Sequence, residues 1–167
     1  QTLPGATNHG MVMVLDWSGS MMDNLIGTLS QMYNLIWFCR RTRIPFEVFA
    51  FSDAYGGRFR DRETYANEFK AGDLVLGNFH LLNFFSSNMT LAEEMDMMHI
   101  LWMYAARYVG YRDWSENGYP YSEPANLRLG GTPLNEAIIA MMDIVPKFKN
   151  DTGVQKVNTI FLTDGAS

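Results

Sequence analysis

The feature that most constrains this chain is an apolar run that ends in a loop of small polar residues. Residues 11–15, Met-Val-Met-Val-Leu, are apolar without alternation, which is typical of a strand buried on both faces of a parallel sheet. Residues 16–21, Asp-Trp-Ser-Gly-Ser-Met, follow at once, and a helical pattern begins after them. We therefore predict an α/β fold, with a doubly wound, mostly parallel sheet and helices on both faces.

The polar loop places one carboxylate and two hydroxyls at the carboxyl end of that strand. Asp16, Ser18 and Ser20 alternate along a tight strand-to-helix turn, so their side chains can converge on one point. Open α/β sheets bind ligands at this edge, and an oxygen-only set suits a hard divalent cation. The loop predicts a cation site, although the two serines are also suited to capping the helix that follows.

Two later stretches also place polar side chains at predicted element boundaries. Thr132 lies in residues 130–134, Gly-Gly-Thr-Pro-Leu, where Pro133 suits the first position of a helix. Asp164 lies in residues 161–165, Phe-Leu-Thr-Asp-Gly, at the end of another apolar strand. Each has a simpler structural interpretation, Thr132 as a helix N-cap and Asp164 as part of a turn.

In this order, the three stretches resemble the metal-ion-dependent adhesion site of von Willebrand factor A (VWA) domains. The similarity covers residues 11–52 and 130–167, and it implies one VWA domain with a Rossmann-like fold over residues 1–167. Residues 53–129 match no motif and are interpreted as a family-variable or inserted segment. A complete VWA sheet needs further strands, so a truncated carboxyl terminus is expected.

The resemblance implies a ligand set for Mg²⁺, with Mn²⁺ or Ca²⁺ as substitutes. The implied ligands are oxygen atoms of Asp16, Ser18, Ser20, Thr132 and Asp164. In the family the hydroxyls bind the ion directly, and the carboxylates complete the site, often through water. Neutral hydroxyls leave the cation electron-poor, so it can accept a carboxylate oxygen from an Asp or Glu of a partner protein.

The implied function is metal-dependent protein–protein interaction without a reaction. The chain is most similar to intracellular VWA proteins of the CobT type, which act with AAA+ ATPases of the CobS or MoxR kind, so such an ATPase is an expected partner. Four residues are predicted to form a rim that contacts the partner: Trp17, Met21, Tyr119 and Tyr121. For Trp17 the alternative is that it packs inside the fold.

Two other functions are consistent with the same residues. One is a structural subunit of a larger assembly, including a phage assembly, in which the site is vestigial or only stabilises the fold. The other is a metal-dependent hydrolase with Asp53 or Glu136 as general base, which is disfavoured because no His or Cys lies near the metal loops in sequence. The chain contains no P-loop, so ATP hydrolysis by the chain itself is not expected.

Composition disfavours several other classes of protein. The 167 residues, 47% of them hydrophobic, suit one globular domain. A net charge of −5 argues against nucleic-acid binding, and the basic cluster of residues 40–43 suits the end of a helix. No run is apolar enough to cross a membrane, no signal peptide is recognisable, and the lone Cys39 fits a reducing compartment. We expect an intracellular location, or a virion if the chain is phage-encoded.

Hydrophobic periodicity predicts the elements around the first loop. A helix over about 22–41 is expected to bury Leu25, Leu29, Met32, Ile36 and Cys39. Residues 46–51 predict a second strand, and residues 74–82 a strand or buried segment.

The later elements are predicted in the same way. Residues 90–93 have the form of a capping box and begin a helix with an apolar stripe of Leu91, Met95, Met98, Trp102, Ala105 and Val109. The helix after Thr132 is expected to bury Leu134, Ile138, Met141 and Val145. Residues 157–162 predict the last strand.

Overall fold

Within the described residues, four strands form a mostly parallel sheet at the centre of the fold. Residues 8–53, 79–109 and 127–164 are described in this computed structural model. The strands are β1 (His9–Asp16), β2 (Phe46–Ser52), β3 (His80–Ser86) and β4 (Lys156–Leu162). Strand β1 pairs in parallel with β2 and β4, and β3 pairs antiparallel with β2. The predicted α/β fold is confirmed.

Helices lie on both faces of this sheet, as predicted. They are α1 (Leu25–Thr42), α2 (Leu91–Val109) and α3 (Leu134–Thr152), and a short 3₁₀ turn (Gly19–Asp23) precedes α1. Successive side chains of β1 point to opposite faces: Met13 and Leu15 pack with α1 and α2, whereas Val12 and Val14 pack with α3. This double burial explains the continuous apolar run of the strand.

The first helix has the predicted buried face. All five residues of that face are fully buried: Leu25, Leu29, Met32, Ile36 and Cys39. The helix begins at Leu25 rather than near residue 22, because the chain first makes the 3₁₀ turn. It ends at Thr42, and the C-cap residue Arg43 has a left-handed backbone (φ 57°) and donates its N–H to the carbonyl oxygens of Arg40 and Cys39.

The capping box at the start of α2 is confirmed. The Thr90 N–H donates to Glu93 Oε2 at 2.8 Å, and the Glu93 N–H donates to Thr90 Oγ1 at 3.3 Å. These reciprocal bonds satisfy two of the N–H groups that a helix start leaves without partners.

The predicted apolar stripe of α2 is only partly its buried face. Met98 and Ala105 are buried, but Leu91, Met95 and Trp102 are exposed. The helix instead turns Glu94 inward, where its carboxylate pairs with Arg40 of α1 at 2.7 Å. The helix is rotated relative to the hydrophobic pattern because this ion pair occupies part of the interface. The Val109 side chain lies outside the described part.

The remaining elements differ from their predictions in smaller ways. Strand β3 begins at His80, and residues 74–78 of its predicted range lie outside the described residues. Helix α3 buries Ala137, Met141 and Phe148, whereas Ile138 is exposed. Within the described ranges, no helix combines the length and apolar character needed to cross a membrane.

Candidate metal centre

The candidate site lies at the point where the order of the strands in the sheet reverses. Strand β2 lies on one side of β1 and β4 on the other, so the crevice between the carboxyl ends of β1 and β4 is a topological switch point. Leu15 of β1 is paired with Leu162 of β4, which brings the next residues, Asp16 and Thr163, to the same edge. The Thr163 hydroxyl donates to Asp16 Oδ2 at 2.9 Å.

Asp16 is the buried carboxylate of this edge. It is 0% exposed, and its Oδ1 has no hydrogen-bond partner among the described residues. Burial raises the pKa of Asp16, hydrogen-bonding interactions with Ser18 and Thr163 oppose that rise, and the charge of Asp164 adds to it. Ser18 does not reach Oδ1 with hydrogen-bond geometry, so this oxygen remains available. A buried carboxylate oxygen without a partner is costly, and a bound cation would offset that cost.

Ser18 and Ser20 face each other beside Asp16. Their Oγ atoms lie 3.0 Å apart, Ser18 is buried, and Ser20 is exposed to solvent. Ser18 precedes the 3₁₀ turn and Asn24 precedes α1, yet neither makes a side-chain capping hydrogen bond. Capping by these serines is therefore not what the structure shows, and their hydroxyls are directed toward each other.

Backbone hydrogen bonds join the Thr132 loop to the first loop. The Gly19 N–H donates to the Gly130 carbonyl at 2.7 Å, and the Gly130 N–H donates to the Trp17 carbonyl at 3.2 Å. Helix α3 begins at Leu134, one residue later than predicted, and its N-cap position makes no side-chain capping bond. Thr132 is therefore not the N-cap residue, and it follows the backbone bridge by two positions.

Asp164 lies just beyond β4 at the same edge and is exposed. The negative charge of Asp164 disfavours a second charge on Asp16 and so adds to the rise in the Asp16 pKa. The structure thus brings together Asp16, Ser18, Ser20, Asp164 and the loop of Thr132. Within the described ranges, no three His, Cys, Asp or Glu side chains lie together as a metal-ligating group, so a cation here would depend on hydroxyl oxygens.

Two of the four predicted rim residues are in the core, and that part of the prediction is wrong. Trp17 is 0% exposed and Met21 is 2% exposed. The Trp17 ring stacks on Tyr104 at 5.7 Å between centroids, and its indole N–H donates to the Leu127 carbonyl at 2.8 Å. The packed alternative for Trp17 is what the structure shows. The other two, Tyr119 and Tyr121, lie outside the described residues.

Sequence reasoning missed the roles of two residues at this edge. Thr163 holds Oδ2 of Asp16, and Asp53 accepts a hydrogen bond from the Gly131 N–H. Each stands one position beyond a strand that is parallel to β1, so strand register is the signal that could have found both. Asp53, considered above as a general base, already has its carboxylate engaged by the loop.

Comparison of the chain with protein-family models, with curated proteins and with solved structures finds no match. The VWA resemblance therefore depends on the three motifs and on nothing outside the chain.

Proposed function

We propose that this chain is a protein–protein interaction module that holds a divalent cation, Mg²⁺ in the first instance, at the carboxyl edge of its sheet. The observation that carries the proposal is Asp16, a fully buried carboxylate whose Oδ1 has no partner among the described residues. A cation at this oxygen would stabilise the charged form of a group that burial otherwise makes hard to ionise.

The oxygen atoms around Asp16 suit such an ion. The hydroxyls of Ser18 and Ser20 lie side by side, and Asp164 contributes a second negative charge. Within the described residues, no cationic side chain is among the influences on the Asp16 pKa. Mg²⁺ prefers oxygen ligands and keeps several waters, so a set of hydroxyls and two carboxylates fits its requirements.

Among the described residues, the site has a buried side and an exposed side. Asp16 and Ser18 are buried, whereas Ser20 and Asp164 are exposed. A cation held between them would have its outer coordination positions toward solvent, where an Asp or Glu of another protein can reach it. This asymmetry supports binding of an acidic partner, and binding of this kind requires no reaction.

The identity of the partner is a separate part of the proposal. A partner ATPase of the AAA+ class, and an intracellular location, follow from the resemblance to CobT-type proteins alone. The structural-subunit and hydrolase alternatives have no observation of their own to favour them.

The test is affinity capture from native lysate with the full-length protein, in Mg²⁺ and in EDTA. We expect a partner that is retained in Mg²⁺ and lost in EDTA and with Ser20→Ala. The matched control is Ser30→Ala, since the Ser30 hydroxyl donates to the Ile26 carbonyl inside α1, away from the sheet edge. Retention of the same partner in EDTA and with Ser20→Ala would refute metal-dependent adhesion.

A further inference from the structure

We propose that Asp53 is a positioning residue that holds the Thr132 loop at the carboxyl edge of the sheet. The inference rests on the proposed function, because the position of this loop matters through the cation site. Asp53 follows β2 directly, and its Oδ1 accepts a hydrogen bond from the N–H of Gly131, the residue before Thr132.

The carboxylate of Asp53 lies so close to the backbone of residue 131 that a Cβ atom there would crowd it. A Cβ atom at position 131 would lie 2.7 Å from Oδ2 and 3.0 Å from Cγ of Asp53. Separations this short force one group to move, so any side chain at this position would displace the carboxylate. Glycine permits the approach because it has no Cβ.

With Asp53, the loop is attached to the sheet from two sides. Gly130 exchanges backbone hydrogen bonds with the segment after β1, through the Trp17 carbonyl and the Gly19 N–H. Asp53 provides the second attachment from the end of β2. Two attachments on adjacent residues restrict the backbone directly before Thr132, so the loop needs little further ordering when a cation binds. Residues that orient metal ligands in this way typically change affinity about 10–100-fold when they are removed.

The first test is Mn²⁺ affinity, measured by water-proton relaxation on the full chain. Asp53→Ala should weaken Mn²⁺ binding about 10-fold or more. Asp53→Asn should retain most of the affinity, since its amide oxygen can still accept the Gly131 N–H. Asp143→Ala, which removes an exposed carboxylate from α3, should leave affinity unchanged. An Asn variant as weak as the Ala variant would mean that Asp53 acts through its charge, which overturns the positioning role.

The second test examines the attachment itself, in the absence of metal. Amide hydrogen exchange at Gly131, followed by NMR, should accelerate in Asp53→Ala and remain slow in Asp53→Asn. If the wild-type chain binds no Mn²⁺, the proposed function fails, but the exchange rate still decides whether the attachment exists. Unchanged exchange in Asp53→Ala overturns the inference.

Gly131→Ala provides an independent variant should Asp53→Ala fold poorly, which thermal unfolding would reveal. Because the added methyl group displaces the same carboxylate, this variant should weaken Mn²⁺ binding as Asp53→Ala does. The double variant should bind Mn²⁺ no more weakly than the single variant with the lower affinity, since substitutions that break the same contact do not have additive effects. Fully additive losses would contradict a shared role.

Discussion

Among single residues, the charged form of the buried Asp16 carboxylate destabilises the folded chain, and the proposed cation would offset this cost. Its carboxylate is fully buried, Oδ2 accepts the Thr163 hydroxyl, and Oδ1 has no hydrogen-bond partner among the described residues. Burial therefore raises its pKa above the ordinary value of 3.8. The folded state without metal holds the Asp16 proton more tightly than the unfolded chain does.

This shift predicts how stability depends on pH in EDTA. The Asp16 contribution is fully present below pH 3.8 and is lost as pH rises through the higher folded pKa, because the folded state must then ionise a buried group. Asp16→Asn should remove this decline, and saturating Mg²⁺ should reverse it in the wild-type chain. Urea unfolding across the acidic range measures both. An identical pH profile for the wild type and Asp16→Asn would contradict the account.

Residue patterns predicted the positions of the polar side chains at the sheet edge better than they predicted the rim. Asp16, Ser18 and Asp164 are recognisable because polar side chains follow apolar strands. The environment of Trp17 and Met21 is not recognisable in this way, since burial of both depends on α2, which is distant in sequence. Trp17 packs against Tyr104 and Phe84, and no local pattern connects these residues.

At the scale of elements, the ion pair between Arg40 and Glu94 determines how α2 lies against α1. Glu94 is 0% exposed, and its Oε2 accepts from Arg40 Nε at 2.7 Å. The guanidinium also donates to the carbonyls of Ser87 and Met89 in the turn before α2, each at 2.8 Å. One arginine thus joins α1, the turn after β3 and the first turn of α2.

Removal of this arginine should be costly. Arg40→Met leaves the buried Glu94 carboxylate without its partner, and we expect a loss of about 3 kcal/mol in the free energy of unfolding. Arg40→Met combined with Glu94→Gln should lose less than Arg40→Met alone, because the charge is removed with its partner. Chemical denaturation of the single and double variants measures the difference. A double variant less stable than Arg40→Met would contradict the account.

The same ion pair explains why hydrophobic periodicity predicted the buried face of α1 but not that of α2. The face of α1 was predicted correctly because apolar side chains alone cover it. In α2 a charged residue lies on the buried face and three large apolar residues of the predicted stripe lie outside it, so hydrophobic spacing gave the wrong rotation. A buried charge becomes predictable only once its partner is known, and Arg40 lies on a different element.

At the scale of the whole molecule, the site is a product of sheet topology. Strands β2 and β4 lie on opposite sides of β1, so three separate segments of the chain end at one edge: the loop after β1, the loop before α3 and the end of β4. The order of motifs along the sequence could predict that these segments meet. The backbone bridge between residues 18 and 130 could not be predicted, because both residues lie in loops outside the strands.

Binding of a divalent cation at this edge is measurable by calorimetric titration of Mg²⁺ into the metal-free chain. We expect saturable binding to one site in the wild type, and loss of that binding in Asp16→Asn and Thr132→Ala. Thr28→Ala, which removes a hydroxyl that donates to the Asn24 carbonyl at the start of α1, should bind as the wild type does. Absence of binding in the wild type, or undiminished binding in both site variants, would contradict the account.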